Sequence, residues 1–576
     1  MEHPHAFDYL IVGGGSAGCV LANRLSEDPS AWVCLLEAGP DTPPERMPES
    51  IARENYLPDY FTAQRYWTGL TVFRDPVGNR SPSEIASEMT AARYEQARVM
   101  GGGSSVNGQV ALRGVPSDYD EWERLGAAGW GWSDCLPFFR KLERDFDFEG
   151  PLHGRDGPVP IRRTFPKDWG GFALAFRDAA SKAGMPYHHD ANAESGDGCF
   201  PFPRNNVYGR RVSTAMAYLD DATRLRRNLR IVPDALVERI EFEGARAVAV
   251  LARVCGRPLR LQAREIVISA GAIHSPALLM RSGVGPAEHL REIGVPVVAD
   301  RPGVGLNLQD HPLVGLGVHL KPEGRLDPQL RNPFLIYARF SSGLEGCPAQ
   351  DMKISLANRF DPSPIGNHFA VVRVGPDKAF SRGFVRLVSA DPAAEPFVAF
   401  NLLADDRDLL RMRRGVRLVH RLLTTPDVQA MAYASFAGTY TRWLRALRSV
   451  GRAGDMALTL GARLLDSGAL PRWTLMGLAF PKGDDIHRMA GDDQLLDRWI
   501  RSTVLGNWHA CGTCRMGSPE DRAAVVDPSG RVIGVGGLRV ADASIMPTVP
   551  CANTNLSTIM IGEKVADAVL RNTARS

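Results

Sequence analysis

Residues 507–517, "NWHACGTCRMG", gather several side chains able to do chemistry. His509 follows Asn507 and Trp508 and precedes Cys511 and Cys514, which are spaced as Cys-x-x-Cys. Three chemistries fit such a set: a thiolate metal clamp, a dithiol redox pair, or a proton-transferring histidine with the cysteines packed around it. A clamp needs further ligands at workable spacing, and none lies nearby in the sequence, so no metal is expected. A redox pair normally opens a helix after a strand in a thioredoxin-like unit, and this context differs. The third reading makes Gly512 and Thr513 a turn that aims His509. Its ordinary pKa, near neutrality, suits a general base.

A second centre lies near the N-terminus. Gly13, Gly15 and Gly18 form G-x-G-x-x-G, with Ser16 and Ala17 between the last two glycines. The first glycine permits a tight turn, the second lets the backbone approach a pyrophosphate, and the third lets helix and strand pack closely. The unpaired N–H groups of the helix start favour an anion there. Glu37 ends the next strand, where a carboxylate accepts from ribose hydroxyls and repels a 2′-phosphate. The set reads as a dinucleotide site.

Both centres need elements to hold them. "DYLIV", the glycine turn, a helix rich in Ala and Leu, and "WVCLLEAG" form a strand–helix–strand unit. Residues 229–269 read as short strands joined by turns, which favours a flavin-type fold over a simple nicotinamide fold. They run into a short helix closed by Gly283. Residues 554–571 read as a further helix, while 313–499 show little pattern. The fold expected is α/β with an α+β substrate part. A Rossmann-like dinucleotide-binding domain, the FAD-binding domain if the dinucleotide is the one the resemblance below implies, would be assembled from 1–40, 90–125, 210–312 and 500–576. Residues 41–89 would connect and cover the cofactor. A substrate-binding domain, an antiparallel sheet with helices, would take 126–209 and 313–499.

The chain has 576 residues, more than one ordinary core, and a net charge of only +3 gives no field for nucleic acid. Nine scattered cysteines argue against a disulfide framework and for a reducing compartment. With no membrane-length apolar run and no signal-peptide core, a cytoplasmic location is expected.

Four stretches together resemble the glucose–methanol–choline (GMC) oxidoreductase family: "DYLIVGGGSAGCVLANRLSEDPSAWVCLLEAG", "ARVMGGGSSVNGQVALRGVPSDYDEWERLGAAGWGW", "SAGAIHSPALLMRSGVGP" with "GVGLNLQDHP", and "NWHACGTCRMG" with "VVDPSGRVIGVGGLRVADASIMPTVPCANTNLSTIMIGEK". "GGGSSVN" and "ASIMPTVPCANTN" look most like the branch of bacterial 5-hydroxymethylfurfural oxidases and aryl-alcohol oxidases. The resemblance implies FAD, a small-molecule alcohol substrate, a carbonyl product, and O2 (giving H2O2) or another electron acceptor. It implies that Val237 meets the adenine, that Gly102, Ser104 and Asn107 lie along the flavin, that Asp542 touches the ribityl–phosphate region, and that Asn553 sits near the ring. Members with covalent FAD carry a histidine where this chain has Val106, so the FAD is expected to be non-covalent. Gly103 stands where the family has a serine, and Asn507 where the furfural-oxidase pattern is apolar. His509 matches the family's catalytic histidine, and Asn553 a partner position that is His or Asn. An Asn amide cannot take a proton but can donate to a developing alkoxide. His274 and His311 fall in family motifs and read as structural or as supports behind the residues that do the chemistry. Trp508, Asn507 and Gln109 are expected at the substrate pocket, with Leu112 nearby.

Arg442, Arg445, Arg448 and Arg452 recur at helical spacing in the segment 441–452. Such a face is usually solvated or a subunit contact. Such a helix can also lie on an anionic membrane or guide an anionic substrate, and it is the segment through which membrane association would be possible. The expected activity is primary-alcohol oxidation, on aromatic or furanic alcohols. The alternatives are an FAD-dependent dehydrogenase passing electrons to a quinone or other acceptor, and a lyase or decarboxylase on the same fold.

Overall fold

The computed structural model describes residues 6–53, 65–78, 80, 82–194, 196–361, 363–438, 452–479 and 486–573. The basic segment 441–452 therefore lies, through residue 451, outside the described residues. Among those described, no helix is long and apolar enough to cross a membrane.

The first sheet grows from β1 (Phe7–Val12), whose residues are almost all buried, as a parallel strand covered on both faces requires. Parallel partners flank it: β2 (Val33–Leu36) on one side and residues 263–268 on the other. Leu229–Val232 extends the sheet beyond β2, and Leu538–Val540 pairs with 266–268. Strand Arg257–Ile268 serves two roles. Its second half joins this parallel core, and its first half pairs antiparallel with Arg246–Val254, which pairs antiparallel with Ala235–Glu243. Strands from residues 7–36, 229–268 and 538–540 thus share one sheet. Helix α1 (Ser16–Leu25) follows β1 directly and buries Ala17, Val20, Leu21 and Leu25. It packs beside α2 (Thr554–Thr573), from the other end of the chain.

The second sheet is antiparallel and occupies most of the region that lacks pattern in the sequence. Its strand order is 432–437, 312–320, 369–376, 352–357, 334–340, 198–201. Leu505–Gly506 also pairs with Pro312–Leu313, which ties the segment just before His509 to this sheet. Helix Asp406–Leu423 covers the sheet with Leu409, Met412, Val416 and Val419. Asp405 caps it, accepting from Arg407 N at 3.0 Å. Gly415 is needed where this helix meets the sheet, because a Cβ there would lie 2.7 Å from Val374.

Two buried ion networks lock the connections. Arg113 pairs with Glu143, and Arg163 bridges Asp145 and Asp190 at 2.9 and 2.7 Å. Losing one partner of such a group would strand a buried charge. Helix Pro116–Arg124 is stitched to the C-terminal region by Trp122 Nε1 donating to the Thr548 carbonyl at 3.0 Å and by a 2.9 Å bond between the Tyr119 and Ser557 hydroxyls.

Candidate active site

One cavity of about 450 Å³ runs between the two sheets. At one end it is bounded by Gly13, Gly15, Ser16, Ala17, Glu37 and Val237. The glycine turn is sterically obligatory. Gly13 has φ +103°, and a Cβ at Gly18 would sit 1.9 Å from the Gly13 carbonyl oxygen. Gly15 differs: its missing Cβ points away from other atoms, 3.8 Å from the nearest, and leaves room for a ligand. No side chain caps α1 and its first turn holds no acid, so its N-terminal N–H groups face the cavity. Glu37 is 7% exposed and accepts from Gly14 N and Gly39 N, each at 2.8 Å. Burial pushes its pKa up, and those backbone bonds oppose the rise. Each of its oxygens retains capacity to accept from a ligand hydroxyl.

The start of α2 closes the same end. Ser16 Oγ donates to Asn555 Oδ1 at 2.9 Å, and Asn555 Nδ2 is a buried donor with no acceptor among the described residues. Asp542 accepts from Gly271 N, Ser275 Oγ and Ser544 N. An orphan donor, two helix N-termini and open space at Gly15 suit a phosphate-bearing dinucleotide.

Gly102, Gly103, Val106 and Asn107 also line the cavity, as do Asn507, Trp508, His509 and Asn553. Gly102 has φ +53° and its Cβ position lies 2.7 Å from Gly15 Cα, so only glycine fits. Asn107 Oδ1 accepts from Gln109 N and an Arg211 guanidinium N–H, at 2.9 and 2.8 Å.

The protonation of His509 follows from its partners. His311 Nε2 lies 3.0 Å from the Pro550 carbonyl oxygen, which only accepts, so that nitrogen carries a proton. Burial, with Lys353 nearby, holds the pKa of His311 well below the ordinary histidine range, so the ring is neutral and its Nδ1 accepts. His509 Nδ1, 2.7 Å away, must then donate to it. The same factors, burial first and then His311 and Lys353, lower the pKa of His509, and its Nε2 is left with a lone pair. Asn553 Nδ2 lies 2.9 Å from that atom. The Asn507 amide nitrogen sits 3.2 and 3.4 Å from the two ring nitrogens of His509.

Asp310 holds this arrangement from behind. Its Oδ1 accepts from the backbone N–H of His311, Asn507 and His509 at 2.7, 3.1 and 3.0 Å. Burial raises its pKa to about 6 against the pull of those three donors. Gly506 is required beside it, since a Cβ there would meet Asp310 Oδ2 at 2.3 Å. Asp310, His311 and His509 offer ligand atoms close enough together for a metal. Here Asp310 Oδ1 serves backbone donors, Oδ2 has no hydrogen-bond partner among the described residues, and the two imidazoles bond each other.

The structure brings together most residues singled out in the sequence, with two corrections. Ser104 does not line the cavity. Its hydroxyl donates to the Gly101 carbonyl at 2.6 Å and accepts from Thr214 N at 3.0 Å, which braces the glycine turn. Gln109 is also buried away from it, at φ +61°, with Nε2 donating to the Arg53 carbonyl at 3.3 Å. Leu112 packs in a small apolar cluster with Phe200 and Tyr337. Trp508 does lie at the cavity mouth. It is 42% exposed, at φ +56°, a costly conformation for an aromatic residue, and its Nε1 donates to Glu95 at 3.2 Å. His274 stacks on Trp67 in the wall, its nitrogens facing Gln96 and Glu395. Cys511 and Cys514 are fully buried, with thiol pKa values pushed up by burial, and neither reaches the cavity. His311, expected as structural or supporting, bonds His509 directly, and Asp310, which the sequence reading did not single out, holds the backbone of both histidines.

The GMC oxidoreductase family's N-terminal and C-terminal models match residues 7–313 and 379–562. The chain is 42% identical over 575 residues to the 5-(hydroxymethyl)furfural oxidase of Methylovorus sp. (strain MP688), covering 98% of each protein. It is 34% identical over 595 residues to an oxygen-dependent choline dehydrogenase of Rhizobium etli, covering 98% of this chain and 95% of that one. Its fold superposes on the crystal structure of pyridoxine 4-oxidase from Mesorbium loti with a TM-score of 0.79 and 27% identity, covering 98% and 99% of the two chains. The chain belongs to the GMC oxidoreductase family. It is accordingly an oxidoreductase.

Proposed function

We propose that the protein is an FAD-dependent oxidase of primary alcohols with an aromatic or furanic ring, and that His509 is its base. The observation that carries this reading is the hydrogen-bond chain Pro550–His311–His509, which leaves an unprotonated Nε2 on the cavity wall beside Asn553. His509 Nε2 takes the hydroxyl proton of the alcohol. Asn553 turns its amide N–H from the imidazole to the oxygen that gains charge, so the two side chains divide proton transfer and charge stabilisation. When bound, FAD supplies the hydride acceptor and returns the two electrons to O2, yielding H2O2.

Gly15, Ser16, Glu37, Val237, Asp542 and Asn555 would hold the adenosine and phosphate portions, and Gly102, Val106 and Asn107 would flank the ring. Val106 has no atom able to form a bond to the cofactor, which supports non-covalent attachment. Phe202, Phe334, Tyr337 and Trp508 line the cavity, which favours flat substrates over aliphatic ones. Full-length similarity to a furfural oxidase supports the same class of substrate.

The test is to purify the FAD-loaded protein and mix it anaerobically with benzylic, furanic, pyridine-type and aliphatic alcohols. Ring-bearing primary alcohols should bleach the flavin, and air should restore the colour with formation of H2O2. His509→Ala should slow bleaching by about 10²–10⁴. If no alcohol bleaches the flavin, the reading fails. If bleaching occurs but air restores colour slowly, the enzyme is a dehydrogenase with another acceptor.

A further inference from the structure

The substrate sheet presents one cross-strand row to the cavity. Tyr337 pairs with Ser355, Ser355 with Arg373, and Arg373 with Gly315. Directly paired residues project from the same face, and Tyr337, Ser355 and Arg373 all line the cavity. Lys353, two residues before Ser355, lines it too.

The charges on this wall do not balance. Lys353 Nζ lies 2.5 Å from Asp377 Oδ1, and Tyr337 donates to Asp377 Oδ2 at 3.0 Å. Asp377 is thus committed. The other acids at the cavity are engaged elsewhere: Glu37 with Gly14 and Gly39, Asp542 with Gly271, Ser275 and Ser544, and Glu95 with Trp508 at the mouth. Arg373 is half-buried, and its guanidinium lies 5.8 Å from the Phe334 ring centroid. Among the described residues it has no carboxylate or hydrogen-bond acceptor. A partly desolvated guanidinium without an acceptor, set among aromatic rings, is a receptor for a planar oxyanion, which it binds in bidentate fashion.

Building on the proposed function, we infer that the substrate is an aromatic primary alcohol carrying a carboxylate. Arg373 holds the carboxylate, the ring lies among Phe202, Phe334 and Tyr337, and the hydroxymethyl group meets His509 and Asn553. Arg373 is then the residue that sets specificity. The oxidation is unchanged: the alcohol loses one hydride and one proton, and the carboxylate passes through untouched.

The test uses the FAD-loaded enzyme and two readouts. The first is equilibrium binding of benzoate against neutral benzamide, followed by perturbation of the flavin spectrum. The second is kcat/KM for 3- and 4-(hydroxymethyl)benzoate against their methyl esters. The wild type should prefer the anion about 10- to 100-fold in both, as expected for a hydrogen bond to a charged group. Arg373→Met should bring that ratio close to one, and Arg373→Lys should keep part of it. Equal binding of benzoate and benzamide by the wild type overturns the inference without any variant. So does an Arg373→Met enzyme that keeps the preference, or one whose only defect is slow reoxidation by air. If alcohols bleach the flavin with no preference for anions, this inference fails and the proposed function stands. If benzoate binds through Arg373 but no alcohol bleaches the flavin, the proposed function fails and the anion site stands.

Discussion

Replacing His311 with leucine tests the origin of the base. In the wild type, His311 Nδ1 accepts the Nδ1 proton of His509 at 2.7 Å, and the Pro550 carbonyl fixes the orientation of His311. Leucine fills similar space and removes the acceptor. His509 would then have a buried Nδ1–H without a partner, at a cost of about 1–3 kcal/mol. The alternative tautomer avoids that cost. It moves the proton to Nε2, and Asn553 can follow by presenting its amide oxygen. The lone pair then points away from the cavity. Each 1.4 kcal/mol is a factor of ten, so the competent tautomer, and with it the rate of anaerobic flavin bleaching, should fall about 10- to 100-fold. His311→Gln supplies the control, because its amide keeps one donor for Pro550 and one acceptor for His509 and should recover most of the rate. The assay is single-turnover bleaching at saturating alcohol, on variants confirmed to carry FAD. A leucine variant within threefold of the wild type, or a glutamine variant as slow as the leucine one, would refute the tautomer argument.

Other expectations follow from the same geometry. A base works when neutral, above its pKa, and burial holds the pKa of His509 well below the ordinary value. The acid limb of kcat/KM should therefore lie below pH 6.5, and a limb above pH 7 would contradict this. His319 is buried against Phe369 and Tyr433 with its pKa lowered to about 3. Between pH 6.5 and 3 the unfolded chain binds a proton there that the native chain does not, so stability falls as pH falls. His319→Phe should thus gain about 2 kcal/mol more, relative to wild type, at pH 5 than at pH 7.5 in denaturant titrations. Gly18→Ala forces a Cβ to within 1.9 Å of the Gly13 carbonyl oxygen and should yield protein that does not retain FAD, whereas Gly103→Ser enters space with nothing within 4 Å and should keep its yellow colour through gel filtration.

The N-terminal nucleotide unit was legible because its pattern is local. A strand, a glycine turn, a helix and an acid follow one another within thirty-odd residues, although only Gly18 answers a contact within that stretch, with Gly13, while Gly13 itself meets Ser269 across the sheet. His509 and Asn553 were legible through the motifs around them. The details that sequence leaves open depend on partners distant in sequence. His311 acquires meaning only when the fold brings it to a residue 198 positions away, and nothing in "QDHP" announces that distance. The strands of the second, antiparallel sheet are buried on both faces, as in "FAVVRVGP", so the alternation that marks a half-exposed strand is missing. Ser104 and Gln109 sit in the expected segment, but the tight turn directs their side chains into the protein. Sequence adjacency places a residue near a cavity without saying which way it faces.

The hydrogen bond between Ser16 and Asn555 spans 539 positions and joins the starts of two helices from opposite ends of the chain. During synthesis, the glycine turn emerges long before its counterpart. The nascent protein must therefore carry an unfinished nucleotide pocket, with the apolar faces of β1 and α1 only partly covered, until residues 538–573 leave the ribosome. Cofactor capture becomes a late event in biogenesis, and the interval before it is when the chain most depends on chaperones. Slow translation of the middle region would lengthen that interval.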